Sequence, residues 1–140
     1  MASRRKAREL ALQMLFQWEV GSHSPEHVVQ TFLAEKSLEP SVEEFARSLF
    51  EGTVGAVATL DPLIRSQSEH WRLERMPAVD RNLLRLALYE LTHLSETPPA
   101  VVINEALELA RRYSGADSVE FVNGVLDGIR KKAQSTTAPG

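Results

Sequence analysis

The sequence predicts an all-α fold of about six helices arranged in one compact domain. In six segments, apolar residues recur at intervals of three and four, the spacing that places them on one helix face. No segment alternates apolar and polar residues over the length of a strand, so a sheet is not expected. The composition, 43% hydrophobic and 25% charged over 140 residues, is that of an ordinary globular domain able to bury a core.

The first two helices are delimited by turn and capping residues. Gly21 ends the first helix. Its apolar face comprises Ala7, Leu10, Ala11, Met14, Leu15 and Trp18. Ser24 is the expected N-cap of the second helix and Pro25 its first helical residue, and this helix runs to about Ala34.

The third helix is expected to begin with a capping box formed by Ser41 and Glu44. Its predicted buried residues are Phe45, Leu49, Val54 and Val57. Because proline lacks an amide proton, Asp61-Pro62 is expected to end or kink this helix.

Three further helices are predicted in the second half. The strongest pattern runs from Pro77 to Leu94, with Arg81 and Arg85 on another side from its apolar face. The rigid Pro98-Pro99 pair precedes the next helix, which Gly115 closes, and the last begins near Ser118. The apolar face of the last helix comprises Phe121, Val122, Val125, Leu126 and Ile129.

The chain is interpreted as one domain over residues 1–133, with an N-terminal helical group at about 3–68 and a C-terminal group at about 69–133. The charged stretch 69–76, which contains Trp71, suits a packed turn better than a flexible linker. Residues 134–140 have the composition of a flexible tail.

Charge is distributed unevenly, although the formal net charge is only −3. Arg4, Arg5, Lys6 and Arg8 stand at the start of the first helix with no acid among them, whereas residues 20–70 hold eight acids and three bases. Cations at a helix N-terminus oppose the helix dipole, so this placement favours a function over a solvated helix start. The pattern predicts a basic first helix that contacts the phosphates of RNA.

Enzymatic and metal-binding patterns are not found in the sequence. There is no cysteine, the four histidines are scattered, and no glycine-rich phosphate-binding motif occurs. We therefore expect no catalytic residue, no metal and no cofactor. No apolar run is long enough to span a bilayer or to form a signal peptide, and the expected location is cytoplasmic.

Four segments go beyond generic helix patterns. They are RRKARELALQMLFQ at residues 4–17, DRNLLRLALYEL at 80–91, PPAVVINEALELA at 98–110 and FVNGVLD at 121–127. In this order and spacing they resemble the NusB family of bacterial transcription antitermination factors, and the resemblance covers nearly the whole chain.

The resemblance implies two packed three-helix groups and a non-catalytic role. Members of this family pair with the small-subunit ribosomal protein that acts as NusE. The pair binds the single-stranded boxA element of nascent RNA and so acts indirectly on the RNA polymerase elongation complex, notably at ribosomal RNA operons. Some family members are dimers, so a homodimer is a further possibility.

Candidate RNA-binding residues combine the charge pattern with this resemblance. They are Arg4, Arg5, Lys6, Arg8, Arg72, Arg75, Arg85, Asp117, Phe121 and Asn123. For the ribosomal partner, the candidates lie on the first helix and on the helix from Pro77 to Leu94. They are Trp18, Arg81 and Glu90.

Several of these residues have a second interpretation. Phe121 either packs in the core or stacks on a base, and Asp117 either caps the last helix or borders the RNA site. Asn123 either reads a base edge or caps. The pair Asn104-Glu105 is expected to hydrogen-bond to a neighbouring helix.

Arg81 and Arg85 are expected to form surface pairs with Asp80 and Glu90 along their own helix. Two other classes of function stand beside the RNA adaptor. One is a helical module that only oligomerises through its first helix, and the other is an enzyme acting on RNA, which no residue pattern supports.

Overall fold

A computed structural model of the chain describes residues 2–68 and 72–137, with side chains described within 4–68 and 72–132. The helices are α1 (Ala2–Val20), α2 (Pro25–Ala34), α3 (Pro40–Gln67), α4 (Ala78–His93), α5 (Pro99–Tyr113) and α6 (Ala116–Thr137), with a 3-10 turn at Leu73–Arg75. No strand occurs within the described ranges, and the predicted all-α fold is confirmed. Of the predicted packed turn at 69–76, residues 69–71 with Trp71 lie outside the described residues, whereas the described part contains the 3-10 turn and buries Leu73 and Met76.

The helix boundaries agree with the sequence at several ends and differ at others. Ser24 caps α2 as predicted, since its hydroxyl accepts the backbone N–H of His27 at 3.2 Å. The capping box predicted at Ser41 is wrong, because the N-cap is Glu39 and α3 begins at Pro40, two residues earlier than that box requires. At the other end of the chain, α6 continues to Thr137, four residues into the predicted tail, and residues 138–140 lie outside the description.

Helix α3 continues through Pro62 to Gln67, so of the two expectations for Asp61-Pro62, an end or a kink, the end is wrong. Proline removes one hydrogen bond from the helix, but the residues on either side are fixed by tertiary contacts. Leu60 and Ile64 are buried in the core, and Asp61 is buried in an ion pair with Arg85. These contacts explain why the helix persists.

Helix α4 lies at the centre of the fold and packs against α1, α3, α5 and α6. Every residue from Asn82 to Leu88 is buried, including Arg85. The side of α4 that holds Arg85, which the sequence sets apart from the apolar face, is therefore buried as well. Because α4 contacts helices of both halves, the two three-helix groups share one hydrophobic core.

Within the described residues, no helix is long and apolar enough to cross a membrane.

Candidate nucleic-acid interface

The start of α1 presents three exposed cations in different directions. The Arg4 guanidinium lies over the ring of Phe45, 4.3 Å from its centroid, and so contacts α3. Arg5 reaches toward α5, where its Nε–H donates to Glu105 at 3.0 Å. Lys6 is exposed beside Glu9, one turn further along. Three of the four cations that the sequence places at the start of α1 are therefore exposed.

Arg8 differs from its neighbours because it is buried. Its Nε–H and Nη2–H donate to the two carboxylate oxygens of Glu90 at 2.9 and 2.6 Å, and Glu105 lies 3.7 Å from Nη1. Burial disfavours the charged guanidinium, but the hydrogen bond and negative charge of Glu90 outweigh it and raise the pKa of Arg8. The Arg8–Glu90 ion pair therefore connects α1 to α4. Arg8 is not exposed as an RNA-binding residue would need to be.

A second, partly buried network connects α1, α3 and α4 around Glu19. Its carboxylate accepts hydrogen bonds from Arg81 and Arg85, and Arg85 also donates to both oxygens of Asp61, at 2.8 and 2.9 Å. Burial disfavours the Glu19 carboxylate, but the two guanidinium groups outweigh it and lower the pKa of Glu19. The surface pairs predicted within α4 are therefore wrong, because both arginines bind acids of other helices.

The three candidate partner residues occupy different environments. Trp18 is half-buried, with its ring 6.0 Å from the Arg85 guanidinium. Arg81 is partly exposed and bound to Glu19, whereas Glu90 lies in the interior and binds Arg8. Of these three, Trp18 and Arg81 retain surface that a partner could contact.

The C-terminal candidates converge in part. Asp117 and Phe121, one turn apart on α6, line a pocket of about 300 Å³ together with Ser118 and with residues before and at the start of α4. Phe121 is half-buried and packs against the core, as one of its two interpretations predicts, and it also lines this pocket, so stacking on a base stays a prediction. Asn123 is exposed on another side of α6, since two residues along a helix correspond to a rotation of about 200°.

Asp80 forms the floor of this pocket. Its side chain is buried, and its Oδ2 accepts the Ser118 hydroxyl at 2.8 Å. The other oxygen, Oδ1, has no hydrogen-bond partner in the described part of the chain. The exposed Arg72 and Arg75 flank the 3-10 turn that leads to the pocket.

A groove between α1 and α5 contains residues that the sequence did not single out. Glu9 accepts hydrogen bonds from Arg112 and from the Tyr113 hydroxyl, both at 2.8 Å. Burial, together with the Glu9 hydrogen bond, raises the pKa of Tyr113. The expected role of Asn104-Glu105 is half right, because Glu105 binds Arg5 and Arg8 whereas Asn104 is exposed.

Next to this groove, α1 also borders an apolar one. The apolar groove has a volume of about 370 Å³ and is lined by Leu12, Gln13, Phe16, Gln17, Phe32, Val79 and Tyr113. Phe16 and Tyr113 are exposed despite their size. Apolar side chains exposed together in this way are typical of an interaction surface.

No cluster of acids and histidines within the described residues could hold a metal ion. The rings of His23 and His27 lie 4.8 Å apart, at the start of α2.

Comparison with known proteins decides the family. A model of the NusB family matches residues 5–131. The chain belongs to the NusB family. Among its relatives in this family, the transcription antitermination protein NusB of Koribacter versatilis (strain Ellin345) is 53% identical over 131 residues, covering 93% of this chain and 90% of the relative.

Solved NusB structures share the fold. T. maritima NusB is 38% identical with a TM-score of 0.85, over 92% of this chain and 91% of that one. A structure of the antitermination factors NusB and NusE in complex with double-stranded RNA contains a chain 29% identical, again with a TM-score of 0.85, over 94% of this chain and 98% of that one. The NusB fold predicted from the four sequence segments is therefore confirmed.

Proposed function

We propose that this chain is a non-catalytic antitermination factor that binds single-stranded boxA RNA together with the small-subunit ribosomal protein acting as NusE. In this role it supports ribosomal RNA transcription and acts on the RNA polymerase elongation complex indirectly. Family membership supports the proposal, as does the solved complex of a related NusB with NusE and double-stranded RNA.

The observation that carries the proposal is the group of exposed cations on the first turns of α1. Arg4, Arg5 and Lys6 are exposed on a helix whose apolar face is buried, so their charges are held at fixed positions. Phosphate contacts of this kind supply affinity and orient the strand without reading its sequence. Arg8 and Arg85 are left out of this surface, because carboxylates already bind their guanidinium groups in the interior.

The pocket at the start of α6 supports recognition of single-stranded RNA. Phe121 offers an aromatic ring at the edge of the pocket, and Asp117 is an exposed hydrogen-bond acceptor beside it. Sequence-specific RNA recognition generally uses unstacked bases, which stack on aromatic rings and bond through their edges. Arg72 and Arg75 are exposed at the 3-10 turn just before Met76 and Pro77 of the pocket, and we expect them to contact the adjoining phosphates.

The apolar groove beside α1 suits the ribosomal protein. Phe16, Phe32 and Tyr113 form an apolar surface beside α1, the helix that also holds the half-buried Trp18. Aromatic residues of this type are enriched at the centres of protein interfaces. A second copy of the chain is the alternative occupant, and sedimentation of the chain alone separates a homodimer from a monomer.

The test is a fluorescence titration of boxA RNA and of a scrambled RNA of equal length, with and without the ribosomal protein. We expect tighter binding of boxA than of the scrambled RNA, and a further gain when the ribosomal protein is present. Equal affinity for both RNAs in the presence of the partner would refute the proposal.

Two variants and one control test whether the RNA binds at the proposed surface. In Arg5→Gln/Lys6→Gln, the slope of log affinity against log salt should decrease by about 1.4, since each single-strand phosphate contact contributes roughly 0.7. Arg47→Gln removes an exposed cation paired with Glu51 on α3 and should leave the slope unchanged. Phe121→Leu keeps apolar packing but removes the ring, and should reduce the preference for boxA over the scrambled RNA.

A further inference from the structure

The groove between α1 and α5 is lined mostly by charged residues and has a volume of about 340 Å³. Its lining comprises Arg5, Glu105, Glu108, Leu109, Arg111 and Arg112. Lys6 belongs to the same surface because it lies 4.0 Å from Glu9, the residue that also binds Arg112. Four cations from two helices thus border one groove.

Two of the three acids at this groove lie deeper than the bases that they bind; the third, Glu108, is 54% exposed beside Arg111 at 57%. The side chains of Glu9 and Glu105 are only 10% and 11% exposed, whereas those of their partners Arg112 and Arg5 are 64% and 60% exposed. The carboxylates therefore lie beneath the guanidinium groups that they bind. At Arg5 and Arg112 the surface that a ligand meets is therefore positive, although the ion pairs are formally neutral.

The guanidinium groups retain hydrogen-bonding capacity after these pairs are formed. A guanidinium has five N–H donors. Each arginine uses one N–H group in its own ion pair: Arg5 with Glu105, Arg111 with Glu108 and Arg112 with Glu9. Because the buried carboxylates fix the orientation of Arg5 and Arg112, less side-chain entropy is lost when the remaining donors bind an anion.

We infer that Arg111 and Arg112 extend the cationic surface of α1 across the groove and bind phosphates of the RNA backbone. The inference rests on the proposed function and adds α5 to the RNA path. It places the strand along the α1–α5 groove, next to the apolar groove proposed for the ribosomal protein, with Tyr113 and Glu9 between the two. Arg5 and Lys6 hold the α1 side of the same strand.

The test uses the full chain with the ribosomal protein, a labelled single-stranded boxA RNA and a scrambled RNA of equal length. In Arg111→Gln/Arg112→Gln, the salt slope should decrease by about 1.4, and affinity at 0.1 M salt should fall roughly 25-fold. Because phosphates carry no sequence information, the loss should be the same factor for both RNAs.

Arg47→Gln is the matched control. Arg47 and Arg111 are exposed to 58% and 57%, and each binds a glutamate on its own helix. The single variant Arg111→Gln removes only an exposed pair and should leave folding intact, as checked by circular dichroism, yet decrease the slope by about 0.7.

The outcomes separate this inference from the proposed function. If the unaltered chain prefers boxA but both α5 variants keep its affinity and salt slope, the inference is overturned and the proposed function stands. If the α5 variants weaken binding of the ribosomal protein and not of either RNA, the groove is a protein contact and the inference is overturned. If the unaltered chain shows no preference for boxA, the proposed function itself fails.

Discussion

Replacing Arg8 by methionine should destabilise the fold strongly, because its partner Glu90 would remain buried and charged. Glu90 is 1% exposed, and its only side-chain partner within the described residues is Arg8. Removing one member of such a pair typically costs about 3–5 kcal/mol of unfolding free energy. For a domain of this size, that corresponds to a fall of roughly 10 °C or more in Tm.

The double variant Arg8→Met/Glu90→Leu should recover most of this loss. With both charges gone, apolar side chains occupy the site and no desolvated ion remains, so its stability should lie within about 2 kcal/mol of the original chain. Glu105, the third residue near Arg8, keeps its hydrogen bond from Arg5.

Urea unfolding followed by circular dichroism measures all three free energies, with equal m-values required for comparison. Arg47→Met serves as the control, because it breaks an exposed pair with Glu51 and should cost at most about 1 kcal/mol. A cost of less than 1 kcal/mol for Arg8→Met, or a double variant no more stable than Arg8→Met, would refute the reasoning.

Three further changes test other parts of the structure. Burial disfavours the charged form of Glu19, but two arginines outweigh this and lower its pKa. The stabilisation from Glu19 is therefore present above its unfolded pKa and lost as the pH falls through its folded pKa. Glu19→Gln should flatten the acid side of a profile of unfolding free energy against pH, and an unchanged profile would contradict this. Gly52→Ala should lower Tm, because an added Cβ would overlap the ring of Tyr89. The cost of overpacking, about 1–3 kcal/mol, exceeds the gain of about 1 kcal/mol in helix propensity. A raised Tm would show that the ring moves aside. Ser24→Ala should cost about 1 kcal/mol in urea unfolding through loss of the α2 cap, whereas Ser24→Asp should cost little.

Local features of the fold were predictable because they depend on nearby residues. The end of α1 at Gly21 and the cap of α2 follow from residues within one turn. The passage of α3 through Pro62 was not predictable in this way. It depends on Arg85, which is distant in sequence and binds the buried Asp61 next to the proline. Tertiary contacts of this kind outweigh local preferences without leaving a local pattern.

The candidate site shows the same division between α1 and α5. The exposed cations of α1 form a run in the sequence and are easily recognised. Arg111 and Arg112 follow Glu108 on α5, and in sequence they resemble an ordinary solvated helix end. Only the fold brings Arg112 to Glu9, 103 residues away, and so places these arginines on the same groove as Arg5.

Arg8 illustrates how far helix geometry alone could have corrected the interpretation of the basic cluster. Counting charges treats Arg8 like Arg5, but Arg8 precedes Ala11 by three residues and Leu15 by seven, which is the spacing of the apolar face. Its burial was therefore contained in the sequence pattern. The identity of its partner was not, because Glu90 lies 82 residues away on the central helix. A cation on an apolar face predicts a buried acid somewhere in the fold, and only the packing of α1 against α4 shows which acid it is.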